Sequence, residues 1–248
     1  MLSGRIALIT GPADDSIVRS ITLSLALHGA KTAIAYTTPK EVADAPARAD
    51  ALVYAAHDLG GEAFALPLSE GEQADAAAAV IQGVLSAYGT VDLLLSRVGA
   101  GWDPYAAAQM STAELDAAVQ AEIADALMCI QACLPVMRQN NWGRIVLICP
   151  FEPVCWTHGS AAAEVRRFMA QQFERHERSH NITLNLIHPG WGVVGPGRAE
   201  AALAAARHES TWQHRRTASA QDIADAALFL CGESARFICG SQLFFAME

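Results

Sequence analysis

The stretch Leu8–Ser20, LITGPADDSIVRS, decides how the rest of the chain is read. An apolar run ending at Ile9 meets Thr10-Gly11, and helical spacing of apolar residues starts at Ile17. Strand, tight turn and helix in that order form the first unit of a nucleotide-binding sheet, where a phosphate rests on the helix N-terminus. Such a turn is expected to hold further glycines, but here Asp14, Asp15 and Ser16 stand in their place. Each of these residue types caps a helix by accepting from its free backbone N–H groups, worth about 1 kcal/mol. A carboxylate there also supplies the negative charge that the helix N-terminus favours. The cap is the favoured reading, so the turn keeps its geometry while its own side chain takes the place of the phosphate.

Working outward, short apolar runs alternate with longer helical patterns. Strands are expected at Arg5–Ile9, Thr32–Tyr36, Ala63–Leu68, Leu93–Ser96, Arg144–Cys149, Thr183–His188 and Gln242–Phe245. Helices are expected at Ile17–Leu27, Ala45–Leu59, Gln73–Tyr88, Thr112–Arg138, Ala161–His176 and Ala220–Cys231, with a further one over Ala199–His208. Strands separated by helices long enough for a crossover imply a parallel sheet covered on both faces. Right-handed crossovers make it doubly wound. The expected class is therefore α/β, a Rossmann-like sheet of about seven strands with helices on both faces. No repeat or linker divides the chain, so residues 1–248 are read as one domain.

Composition narrows the function. The formal charge of −9 disfavours nucleic acid or an anionic membrane surface as partner, since both call for a basic face. No apolar run is long enough to span a bilayer, and MLSGRIALIT leads straight into a strand without a signal-peptide pattern. The expectation is a cytoplasmic protein. The six cysteines form no CxxC pair. Cys129 and Cys133 are one helical turn apart, but local partners for a metal are lacking, and buried thiols are the favoured reading.

Several landmarks follow in one order: Thr10-Gly11; AYGTVDLLLSRVGA over Ala87–Ala100; ACLPVM ending at Met137; WGRIVLI over Trp142–Ile148; NITLNLIHPGWGVVGP over Asn181–Pro196; and SAQDIADAALFLCGESARFICGSQL near the end. Taken together, the set resembles the short-chain dehydrogenase/reductase family over nearly the whole chain, Gly4 to Leu243. The resemblance implies the fold, and it implies a cofactor loop of Thr-Gly, three residues, then Gly-x-Gly. Only Gly11 remains of it here. Asp15 or Ser16 stands at the second glycine, and Ile17 or Val18 at the third, depending on a one-residue gap. After the second strand, where the family places an acid for NAD or an arginine for NADP, this chain has Tyr36-Thr37-Thr38. The Asn-Asn-Ala-Gly stretch after the fourth strand becomes Ser96-Arg97-Val98-Gly99. Arg97 could meet a phosphate or pair with an acid of the altered loop, and the acid is the favoured partner.

The family's chemistry uses a Tyr as general acid/base, a Lys four residues later, a Ser that orients the carbonyl and an Asn on the long helix. Here the Tyr position falls on His158 or Gly159 and the Lys position on Ala162 or Ala163; the Ser position is Pro150 and the Asn position Glu122. The only tyrosines are Tyr36, Tyr54, Tyr88 and Tyr105, and the only lysines Lys31 and Lys40, so no gap placement restores the pair. His158 titrates nearest neutrality among the replacements, but a structural role is favoured for it. The same reading holds for Cys149, for His188 in a turn, and for a solvated or interfacial Arg166 and Arg167.

Two expectations result. In the favoured one, no catalytic, cofactor-binding or metal-binding residue operates in this chain. It is then a non-catalytic subunit, and NAD(P) sits in an active paralogue with which it forms a hetero-oligomer, expected as a heterotetramer. The family's assembly segments are kept: the two long helices, with apolar residues such as Leu127, Ile130 and Leu134, and the last strand. The resemblance extends to hetero-oligomers of this kind, among them one that oxidises a hydroxyacyl-CoA ester of aromatic degradation. The alternative is an enzyme or small-molecule binder with a cleft rebuilt around His158 and no nicotinamide cofactor.

Overall fold

The structure, a computed structural model, describes residues 2–37, 44–68, 73–97, 111–113, 123–149, 158–189 and 218–245. Within them seven strands form one wholly parallel sheet. They are β1 (Ile6–Gly11), β2 (Lys31–Thr37), β3 (Glu62–Leu68), β4 (Leu93–Arg97), β5 (Gly143–Ile148), β6 (Ile182–His188) and β7 (Gln242–Phe244). Their order is β3-β2-β1-β4-β5-β6-β7. The helices are α1 (Ser16–Leu27), α2 (Ala45–Asp58), α3 (Gln73–Tyr88), α4 (Asp125–Asn140), α5 (His158–Glu177) and α6 (Ala220–Cys231).

Central strands buried on both faces read as continuous apolar runs, because alternate side chains feed two separate cores. In β1, Ile9 packs with Ile21 and Leu25 of α1, Leu52 of α2 and Ile223 of α6. Its neighbour Leu8 points the other way, into the cluster of Val84 on α3, Cys133 and Met137 on α4 and Ala170 on α5. Cys129, Cys133, Cys149 and Cys231 are all buried. Burial raises the thiol of Cys133 well above its ordinary value and that of Cys231 to about 12. Pro67 lies inside β3, which is possible because β3 is an edge strand.

Several expected boundaries move. β1 runs on to Gly11, because Thr10 and Gly11 still pair with Ala35 and Tyr36 of β2. α5 begins at His158 rather than at Ala161. Of the long helix expected over Thr112–Arg138, the stretch Asp125–Asn140 is described as one α-helix, ending at Asn141 in a left-handed cap (φ 51°). The helix expected at Ala199–His208 lies outside the described residues. Ile130, expected on an outward stripe with Leu127 and Leu134, is buried in the core; only the other two are part-exposed.

Polar anchoring is concentrated where the central strands begin. Asp92 accepts from the Ile6 N–H (2.9 Å) and pairs with Arg5 (3.5 Å). The guanidinium groups of Arg5 and Arg144 lie 3.7 and 4.4 Å from the Trp142 ring centroid. That cluster fixes one end of the sheet and leaves the carboxyl end for the site.

Candidate functional site

In a doubly wound sheet the ligand crevice opens beyond the carboxyl ends of the strands, where the order reverses. Here the reversal falls between β1 and β4: the chain builds outward from β1 to β2 and β3, then returns to the other side of β1. Gly11 ends β1 and Arg97 ends β4. Below them a buried bond joins Thr10 Oγ1 to Ser96 Oγ (2.7 Å) and ties the two strands together.

The turn after β1 is filled by the chain's own side chains. Asp15 is the N-cap of α1, and its Oδ1 accepts from the N–H groups of Ile17 (2.8 Å) and Val18 (3.1 Å). Arg97 Nε donates to the other carboxylate oxygen of Asp15 (3.3 Å). Arg97 Nη1 donates to the carbonyls of Ile148 (3.3 Å) and Cys149 (2.9 Å). The arginine therefore stretches from the end of β4 to the end of β5 and back to the first turn of α1. Gly11 makes room for it: its φ is 140°, and a Cβ there would stand 2.8 Å from the Arg97 Cβ. Asp14 has a different partner, Arg48 on α2, which also pairs with Asp44 (3.1 Å). Ser16 opens α1 in a buried position, and Val18 is buried in the core. Tyr36 sits in register with Gly11 and packs near Ala13, Ala45 and Ala49.

The structure thus brings Gly11, Asp15, Val18, Tyr36 and Ser96 to one region. Glu122 and Pro150 lie outside the described residues. His158 and Ala162 stand on the first turns of α5, at positions one helical turn apart.

A second pair of side chains differs from the sequence expectation. His188 is the last residue of β6, where the expected strand Thr183–His188 ends, but it does not serve the turn that follows: it is buried, with its ring stacked on Phe244 of β7 (centroids 4.4 Å apart, planes at 14°). Burial, reinforced by the charge of Arg166, lowers its pKa to about 4, so it is neutral at pH 7. Arg166 is itself buried rather than solvated, whereas Arg167 is exposed and pairs with Glu164. Helical spacing alone could have separated this adjacent pair, because Arg166 lies four residues from Ala170, which faces the core.

A seven-stranded, wholly parallel, doubly wound sheet with its order reversing between β1 and β4 defines the class of Rossmann-like folds, in which ligands bind at that reversal. The model of the enoyl-(acyl carrier protein) reductase family matches residues 11–246, and the chain belongs to this short-chain dehydrogenase/reductase family. It is 27% identical over 241 residues to the 3-oxoacyl-(acyl-carrier-protein) reductase FabG of Staphylococcus aureus, covering 96% of this chain and 94% of that protein. It is 29% identical over 254 residues to the 7alpha-hydroxysteroid dehydrogenase of Escherichia coli K12, covering 98% and 92%. Among solved structures, hydroxysteroid dehydrogenase from E. coli superposes with a TM-score of 0.78 at 25% identity, covering 98% of this chain and 95% of that one. Acetoin dehydrogenase YohF of Salmonella typhimurium, at 18% identity and a TM-score of 0.76, shares the fold over 97% and 93%.

These relatives correct one expectation. The sequence reading gave this chain no cofactor and placed NAD(P) in a partner alone. The chain instead belongs to a family of reductases and dehydrogenases that work with NAD(P), and the match includes the turn from Gly11 onward. The departures at the turn, at Tyr36-Thr37-Thr38 and at Ser96-Arg97-Val98-Gly99 change how closely the chain approaches a ligand, but all three lie within the family match. The residues as they stand do not offer the pyrophosphate an open turn: the Asp15 carboxylate holds the Ile17 and Val18 N–H groups, and Arg97 lies against Gly11.

Among the described residues no group of three or more His, Cys, Asp or Glu is placed to hold a metal ion, and no helix is long and apolar enough to cross a membrane.

Proposed function

We propose that this chain is a non-catalytic subunit that assembles with an active short-chain dehydrogenase/reductase paralogue in a heterotetramer and supports that partner's NAD(P)-dependent interconversion of an alcohol and a ketone. One observation carries the reading: no tyrosine or lysine follows Tyr105. α5, the helix that in this family bears the acid/base pair, offers His158 and Ala162 at those positions. Losing a positioned general acid/base removes about 10²–10⁴-fold in rate.

The outer surface suits assembly. Val165 and Phe168 are 40% and 61% exposed one turn apart on α5, and Phe244 on the edge strand β7 is 70% exposed. Apolar side chains gathered on such elements are the material of subunit contacts. The relatives' names point to a 3-oxoacyl thioester, or its hydroxyacyl counterpart, as the class of substrate handled by the partner.

The test is a reductase assay with NADPH, NADH and acetoacetyl-CoA as probe, on the isolated chain and then on the complex with the host's complete paralogue. The chain alone is expected to stay at background and the complex to turn over. Turnover by the isolated chain would overturn the proposal.

A further inference from the structure

We propose that the Asp15–Arg97 ion pair is an internal latch on the cofactor site, so that a nicotinamide nucleotide binds this chain only by displacing the Asp15 carboxylate from α1 and taking over Arg97. The inference does not depend on whether the chain catalyses anything, because it concerns binding.

Three observations meet at one point. First, the sheet reverses order between β1 and β4, which is where this fold places a ligand. Second, the two N–H groups at the start of α1 are held by a side-chain carboxylate. Those N–H groups, with the helix dipole behind them, are what a pyrophosphate uses. Third, the cation that holds the carboxylate also belongs to the crevice. Arg97 bridges Asp15 to the carbonyls of Ile148 and Cys149, and its Cβ lies where any side chain on Gly11 would have to go.

The charges set the direction. With Asp15 in place, an incoming diphosphate meets a like charge on the N–H groups it needs, in a setting of reduced dielectric. With the carboxylate displaced, the same N–H groups are released and Arg97 lacks its anionic partner. A guanidinium is suited to a phosphate through paired N–H donors. Asp15 therefore acts as a tethered competitor, while Arg97 serves either anion.

Asp15→Asn tests this without removing the cap, since Asn caps a helix as well as Asp does. Asp15→Gly is a second variant that also leaves the Ile17 and Val18 N–H groups open, and glycine is tolerated at an N-cap. NADH and NADPH are titrated into each, followed by nucleotide fluorescence and by calorimetry, with thermal melting to verify folding. Both variants are expected to bind at least one of the two nucleotides at least tenfold more tightly than the unaltered chain. Adding Arg97→Met to Asp15→Asn is expected to abolish the gain. Equal or weaker binding by the folded Asp15 variants would overturn the latch. A gain that persists without Arg97 would overturn the role given to the arginine. Neither readout involves turnover or a partner, so failure here is distinguishable from failure of the non-catalytic assignment.

Discussion

Arg138 near the end of α4 and Glu177 at the end of α5 form a two-pronged ion pair, with Arg138 Nε donating to Glu177 Oε2 at 2.9 Å. Glu177 is buried while Arg138 remains half exposed. The pair clamps α4 to α5. The Arg138 hydrogen bonds hold the Glu177 carboxyl below the usual glutamate range. A lowered carboxyl pKa stabilises the fold above its unfolded value, and that contribution is lost as pH falls through the native value. Glu177→Gln is expected to cost about 1 kcal/mol at pH 7, because the half-exposed Arg138 is rehydrated and what is lost is a solvent-screened ion pair. Denaturant melts should show the gap to the unaltered chain closing below about pH 4.

His188 titrates in a different window. Its native pKa of about 4 lies below the ordinary histidine value, so the folded chain excludes a proton that the unfolded chain accepts. Stability is complete above about pH 6.5 and falls as pH drops toward 4, by about 3 kcal/mol at most. His188→Phe keeps a ring against Phe244 and removes the titration. Melts of this variant should lose the acid-side slope between pH 6.5 and 4, and NMR of the unaltered chain should place the His188 transition near 4.

Gly11→Ala sets a methyl group against the Arg97 Cβ and places a side chain at φ 140°. Both effects destabilise, together by about 1–3 kcal/mol. Urea melts are expected to show the loss. Gly4→Ala provides a contrast, since a Cβ there meets nothing within 4 Å and only the positive φ of 76° is penalised.

His158→Ala tests the acid/base argument. In the complex with a complete paralogue, this change is expected to leave turnover within about twofold, against the 10²–10⁴-fold loss of removing a true general acid/base. Steady-state kinetics with saturating substrate make the comparison.

Much of the fold was legible in the sequence because its signals are local. Apolar runs such as Leu93–Leu95 and Ile145–Ile148 are continuous because both faces of the sheet are covered, and the helices between them carry clean periodicity. The cap at Asp15 was legible for the same reason, since it involves residues two and three positions away. The reach of Arg97 to the end of β5 was not, because 51 and 52 residues separate it from the carbonyls it meets. His188 was legible as the end of a strand, but its partner was not: Phe244, stacked on its ring, arrives on β7 from far along the chain. The expectation of no cofactor failed for a further reason: it rested on departures at the turn, at Tyr36-Thr37-Thr38 and at Ser96-Arg97-Val98-Gly99, whereas the family match spans all three.

The most direct test of the account is the mass of the intact complex isolated from the native host under gentle conditions. The expected mass contains this chain together with a second short-chain dehydrogenase/reductase subunit that retains the Tyr and Lys of the family. A complex made of this chain alone, active with NAD(P)H, would contradict it.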